Sequence, residues 1–204
     1  MLDEILLFGS SGHAKSCVDL LESTKTFEIK GIVIREKSNL SKFMGYKIVG
    51  TDDSMEELIS DCPYAVIGVG QIKDANPRIK LFEKLKGYGA ELPIVISPHS
   101  RVSKHSVLKR GCMIFHHCVV NAGASVGANC IINNKSLVEH DVEISDHCHI
   151  STGSILNGGV IVEESTFIGS GSIIHEGVRI GKNSIIAAGS IVRSDLRENS
   201  VFKS

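Results

Sequence analysis

The sequence predicts a two-part chain, a small Rossmann-like α/β domain followed by a parallel β-helix. Three observations carry this. From Ile96 every sixth residue is aliphatic, through Val102, Leu108, Ile114 and so on to Val192, 17 positions without a slip. Four residues after each lies a second series, Ser100, Ser106, Cys112, Cys118, Ala124, Cys130 and onward, small at every position except its last, Leu196. Ahead of residue 96 the pattern changes, and short apolar runs alternate with helical spacing across glycine-rich turns.

The first part reads in order as follows. Glu4-Ile-Leu-Leu-Phe8 is a buried strand, Gly9-Ser-Ser-Gly12 a tight turn, and His13–Glu22 a helix by its apolar spacing. Lys30–Ile34 is a second strand, Ser54–Ser60 a helix, and Tyr64–Ile67 a third strand ending in Gly68-Val-Gly70. A helix near Pro77–Lys86 and a last strand near Leu92–Ile96 complete it. Alternating β and α elements predict a parallel sheet flanked by helices. The change of period between Pro93 and Pro98 puts the domains at 1–94 and 95–204.

In the second part each six-residue unit makes one short strand and a corner, and three units close an 18-residue coil. Coils about 4.8 Å apart would stack into a prism roughly 25 Å tall. The aliphatic series points inward, and the small series fills the space beside each corner. Four of the six cysteines (Cys112, Cys118, Cys130, Cys148) fall in the small series, interchangeable with Ser, Ala and Thr. They read as buried structural thiols rather than as disulfides or zinc ligands, although His116-His-Cys118 and His147-Cys-His149 invite the zinc reading.

Composition excludes several classes. Net charge is −1, aromatic residues are 5% and Trp is absent, so neither a basic stripe nor a stacking platform for nucleic acid is present. No window approaches 18 apolar residues, and the acidic start Met1-Leu-Asp-Glu-Ile-Leu-Leu-Phe8 does not resemble a signal peptide. The expectation is a cytoplasmic protein without membrane insertion. The turns Gly9–Gly12 and Gly68–Gly70 follow strands, where open α/β sheets bind small anionic ligands, but neither is a full dinucleotide or P-loop signature. Of nine histidines, His140 stands out because Glu139 and Asp141 flank it, and a carboxylate on Nδ1 would leave Nε2 to accept a proton.

Four stretches together resemble one known family. They are Phe8-Gly-Ser-Ser-Gly-His-Ala14, Asn133–Asp141, His149–Gly158 and Ser184–Ser190. The chain is similar throughout to the sialic-acid O-acetyltransferase group, which includes N-acetyltransferases acting on UDP-4-amino-sugars and the perosamine N-acetyltransferases. The resemblance implies a left-handed coil and a homotrimer with acetyl-CoA between adjacent β-helices. It makes His140 the catalytic base and Asp141 its support. It places His149 beside the thioester, and Gly158, Ala187, Ala188 and Gly189 along the pantetheine. Gly9, Ser10, Ser11, Gly12 and His13 match the sugar pocket, with Gly68 and Gly70 beside it. It further implies direct acetyl transfer in bacterial surface-glycan synthesis, with no metal. The acceptor stays open between a hydroxyl of a nonulosonic acid and the 4-amino group of a nucleotide-linked sugar. Two other readings stand beside it: a non-catalytic sugar-nucleotide-binding module, and a carbonic-anhydrase-like β-helix with zinc shared across a trimer. One departure from the pattern is Ile34-Arg-Glu-Lys37, where many relatives carry acidic residues.

Overall fold

A computed structural model describes residues 2–203. The chain forms two compact units. One comprises Met1–Gly70 and Asn76–Val95, the other Gln71–Ala75 and Ile96–Ser204. The short segment Gln71–Ala75 therefore groups with the β-helix, whereas the sequence placed it within the first domain.

The first unit contains β1 (Asp3–Phe8), α1 (Gly12–Thr24), β2 (Phe27–Ile34), β3 (Lys42–Phe43) and β4 (Tyr46–Thr51), followed by α2 (Met55–Asp61), β5 (Ala65–Ile67) and α3 (Asn76–Gly87). The sheet order is β3-β4-β2-β1-β5, with β1, β2, β4 and β5 parallel and β3 antiparallel to β4. Strand β1 lies centrally, and Ile5 to Phe8 are all buried, which is why it reads as a continuous apolar run and not as an alternation. Two elements differ from the sequence reading. The β3–β4 hairpin was not foreseen; it closes through Met44 and Gly45, both at positive φ (51° and 88°), the geometry of a tight hairpin turn. The expected strand Leu92–Ile96 is reduced to Val95–Ile96, which belongs to the β-helix sheets. Pro93 offers no backbone donor, and only Glu91 bridges to Tyr64 in the first unit.

The second unit is a left-handed parallel β-helix. Two-residue strands repeat every six residues and stack into three parallel sheets of seven, six and five strands, each strand pairing with those 18 residues away except the last, Val201–Phe202, which pairs with Ile185–Ile186 at 16. From Ile114 to Val192 every member of the aliphatic series is at most 3% exposed. At the open end Ile96 is 36% exposed, and Val102 and Leu108 are only partly covered, because the first coil has a neighbour on one side alone.

The small series is more than a volume constraint, because most of its members are donors. Cys112, Cys118, Cys130, Ser136, Cys148, Ser154, Thr166 and Ser172 each hydrogen-bond the carbonyl 15 residues on, at 2.8–3.1 Å. At these eight corners the carbonyl turns into the coil, and a buried carbonyl needs a donor. A thiol does the work of a hydroxyl, which explains why the four cysteines of this series are free and buried. A third six-residue series also runs through the corners. From Gly111 to Gly189 every sixth residue has positive φ, and only some of these residues are glycine. Among the described residues no helix is long and apolar enough to cross a membrane.

The donor role predicts an asymmetry at Cys148, whose thiol bonds Glu163 O at 3.1 Å. Cys148→Ser should leave the denaturation midpoint nearly unchanged. Cys148→Val, close in shape but without a donor, should cost about 1–3 kcal/mol by denaturant titration.

Candidate active site

His140 and Asp141 lie at a corner of the β-helix between the strands Leu137–Val138 and Glu143–Ile144. Asp141 is the residue at that corner with positive φ (59°). Its carboxylate Oδ2 sits 2.9 Å from His140 Nδ1. With Nδ1–H donating to a carboxylate, Nε2 carries the lone pair. The Asp141 carboxylate raises the His140 pKa above its ordinary value, chiefly through this hydrogen bond, with Glu139 and Glu176 adding to it.

One coil on, Gly158 makes room for the ring. A Cβ at Gly158 would lie 2.6 Å from His140 Cε1 and 2.7 Å from Nε2. Gly123, one coil before, has no side chain for a similar reason, since a Cβ there would collide with Asp141 Oδ1. Glu139 is fixed by Asn121, whose Nδ2 donates to Oε2 at 2.8 Å. Glu139, His140, Asn157, Gly158, His175 and Glu176 line one open groove at this corner. A ring nitrogen ready to take a proton thus faces a groove walled by carboxylates.

The other site residues expected from sequence are distributed elsewhere. Ala187, Ala188 and Gly189 form the corner after Ile185–Ile186, which joins the seven-stranded to the six-stranded sheet. His140 and Gly158 lie at the next corner, joining the six-stranded to the five-stranded sheet. One chain therefore does not bring these two sets together. Ala188 and Gly189 are exposed and Ala187 half-buried. The backbone at this corner is closely stacked, since a Cβ on Gly169 would approach Ala188 N to 2.5 Å.

His149 is on the outward face of the seven-stranded sheet but is only 5% exposed. Its Nδ1 lies 2.6 Å from Gln71 O, its Nε2 3.3 Å from Asn133 Nδ2, and its ring meets Phe167 edge-on with centroids 5.2 Å apart. Sequence reasoning missed Gln71, which lies 78 residues away and carried no motif.

In the first unit the two glycine turns meet. The chain runs from β1 outward through β2 to β4 and returns to the other side of β1 at β5. The strand order thus reverses between the ends of β1 and β5, the position where open α/β sheets bind ligands. Gly9 has φ +126°, and a Cβ there would press on Gly68 at 3.1–3.2 Å. Gly68 N–H donates to Phe8 O at 2.8 Å, and a Cβ on Gly70 would reach 3.2 Å from His13 Cβ. Ser11 is the N-cap of α1, whose first turn makes no side-chain cap hydrogen bond. Gly9, Ser10, Ser11, Gly12, His13, Gly68 and Gly70 thus form one contiguous edge. Arg78, also missed, holds this edge from below. It is 1% exposed, and its Nη1 donates to Ile67 O and Val69 O, both at 2.8 Å. The available signal was an arginine sharing the buried face of α3 with Phe82 and Leu85. Beneath the edge, burial pushes the Cys17 thiol up to about 12, against the pull of Arg78, so Cys17 is no nucleophile. The Arg35 and Glu36 side chains after β2 are exposed and pair at 3.5 Å.

Comparison with known proteins bears on both units. A family model described as the PglD N-terminal domain matches residues 4–85. A second, bacterial transferase hexapeptide (six repeats), matches residues 159–194. A histidine mutant of perosamine N-acetyltransferase from Caulobacter crescentus, solved with CoA and GDP-perosamine, superposes with a TM-score of 0.90. It shares 28% identity, over 98% of this chain and 92% of that one. Over nearly its whole length the chain is similar to the PglD-like hexapeptide-repeat sugar acetyltransferases. The same fold recurs in the acetyltransferase domain of PglB from Neisseria gonorrhoeae, solved with acetyl coenzyme A (23% identity, 97% of this chain and 94% of that one, TM-score 0.88). It recurs again in WeeI from Acinetobacter baumannii (21% identity, 98% and 95%, TM-score 0.83). No curated protein sequence matches the chain.

For this acetyltransferase the His140–Asp141 pair makes a pH prediction. With His140 as the expected proton acceptor, which must be unprotonated to act, activity should fall as pH drops through its raised pKa, above the ordinary 6.5. Asp141→Asn removes the main cause of the shift, so the acid limb of kcat/KM should move to lower pH. The kcat at neutral pH should fall about 10- to 100-fold, because the tautomer is no longer enforced. A pH–rate profile of the two proteins checks both.

Proposed function

We propose that the protein transfers an acetyl group directly from acetyl-CoA to the 4-amino group of a nucleotide-linked 4-amino-sugar, with His140 as general base. The observation that carries this is the His140–Asp141 hydrogen bond, which leaves Nε2 open over Gly158 in a groove walled by carboxylates. As the amine nitrogen attacks the thioester carbon, its proton passes to His140 Nε2. The tetrahedral oxyanion is held by a backbone N–H of the groove wall, for which Gly158 is the candidate. Collapse expels the CoA thiolate, which takes up the proton.

Electrostatics favours the amine over a nonulosonic acid. Glu139, Asp141 and Glu176 surround the base and draw in an amine, which sheds its ammonium proton to solvent before its lone pair attacks, whereas they repel a carboxylate-bearing acceptor. The neighbour solved with GDP-perosamine is itself an N-acetyltransferase, which supports the same reading. We assign the sugar nucleotide to the Gly9–His13 and Gly68–Gly70 edge of the first unit, and pantetheine to Ala187–Gly189.

We further infer that three chains assemble around a shared axis. Two features support this. Beyond Arg101 on its first strand, the outward positions of the six-stranded sheet form an aliphatic ladder, Val119, Leu137, Ile155, Ile173 and Ile191, whereas Ser125, Glu143 and Arg179 interrupt the equivalent line on the five-stranded sheet. The base and the pantetheine wall also lie at different corners of one chain. A closed head-to-tail ring sets one corner of each chain against the other corner of its neighbour.

The purified protein should consume acetyl-CoA with a nucleotide-linked 4-amino-sugar and not with free sialic acids. His140→Ala should lower kcat by about 100- to 10,000-fold. Turnover of sialic acids alone would overturn the acceptor assignment, and full activity of His140→Ala at neutral pH would overturn the base.

A further inference from the structure

The segment Gln71–Ala75 lies against the β-helix as part of the same compact unit. Its anchor is Gln71, which is 3% exposed and uses both its main chain and its side chain. The side-chain Nε2 donates to His147 O at 3.0 Å. A carbonyl only accepts, so this bond fixes which end of the amide is nitrogen. Oε1 is buried and makes no hydrogen bond, so that one bond sets the amide's orientation. The main-chain carbonyl of the same residue faces His149 Nδ1 at 2.6 Å. It too only accepts, so Nδ1 must carry a proton.

The other side of the imidazole is equally determined. Asn133 Oδ1 accepts from the Asn134 N–H at 2.8 Å, which turns Asn133 Nδ2 toward His149 Nε2 at 3.3 Å. An amide nitrogen only donates, so Nε2 must be the bare nitrogen. With Nδ1 protonated and Nε2 accepting, the ring is neutral, in keeping with its burial. The hydrogen bonds run in one direction, from Asn133 through His149 to Gln71.

We infer that Gln71 is a positioning residue for acetyl transfer. It locks His149 as the neutral Nδ1–H tautomer and thereby aims the Asn133 amide. This rests on the reading of His149 as part of the acetyl-CoA site. His149 then moves no proton in the reaction. One Asn133 N–H is spent on the ring, and the other remains a donor of fixed direction. The two histidines divide the work: His140 exchanges a proton and His149 holds a geometry. Gln71 also follows Gly70 directly in the chain, so the residue that orders His149 is peptide-bonded to the glycine turn assigned to the sugar nucleotide.

The test uses the full chain with 15N-labelled histidine, without substrates. Long-range 1H–15N spectra, assigned with His149→Gln, should show His149 protonated at Nδ1 and bare at Nε2. Gln71→Ala removes the Nε2–H donor that pins the segment, and should move His149 toward a mixture of tautomers. It should also lower kcat about tenfold while KM for acetyl-CoA changes less than about twofold, the signature of lost alignment rather than lost binding. Gln71→Glu, similar in shape but unable to donate, should behave like Gln71→Ala if it folds, as judged by circular dichroism. A wild-type His149 protonated at Nε2, or an unaltered kcat in both variants, would overturn the inference. Failure of the proposed function is separable. A fully active His140→Ala would refute that reading whatever the His149 spectrum, whereas an inactive His140→Ala with Nε2-protonated His149 would refute only the role of Gln71.

Discussion

Every feature of the β-helix depends on one interaction, the parallel ladder that sets each residue over the residue 18 places later. The rung spacing is about 4.8 Å, too close for a change in residue size to be absorbed locally. Inward columns must therefore be aliphatic at one position and small at another. At eight positions the small column also donates to a corner carbonyl that turns inward. The same ladder places chemistry. His140 has room because the residue one coil on is Gly158, and Asp141 has room because the residue one coil back is Gly123. The His140–Asp141 pair is placed as much by two absent side chains as by its own.

The ladder also explains why no inserted loop carries the site. The repeat is unbroken, so reactive groups can only stand on outward faces and corners. Corners suit them best. Their positive-φ residues turn the chain sharply, and at one of these Asp141 brings its carboxylate back to His140 Nδ1 within a single peptide step. A triangular coil distributes its corners, however, and His140 and Ala187–Gly189, proposed above as base and pantetheine wall, fall on different ones. A catalytic site assembled from both corners needs two copies of the chain.

How much was legible in the sequence follows from the range of each interaction. The aliphatic series was visible because the ladder imposes it at fixed spacing, and the cysteines could be placed in the small column for the same reason. The donor role of that column was not visible, since Ala124 and Val142 occupy it without one, and only the carbonyl geometry reveals it. The His140–Asp141 pair was readable because its members are adjacent. Gln71 and Arg78 were not, because each acts on a distant or main-chain partner that leaves no pattern. The β3–β4 hairpin was hidden by its short first strand and by the alternation being lost around Gly45 and Gly50. The strand expected at Leu92–Ile96 was over-read, because apolar composition outweighed the missing donor of Pro93.

The central claim is that the ladder divides one catalytic site between two copies of the chain. Mixing two inactive variants tests it most directly. His140→Ala removes the base, and Ala188→Trp blocks the pantetheine corner. Unfolded and refolded together in equal amounts, the two should regain about a quarter of wild-type activity, because random assembly pairs an intact base corner with an intact pantetheine corner at that frequency. Each variant refolded alone should stay inactive. A mixture that also stays inactive, although mass analysis shows mixed oligomers, would contradict the account and return the whole site to a single chain.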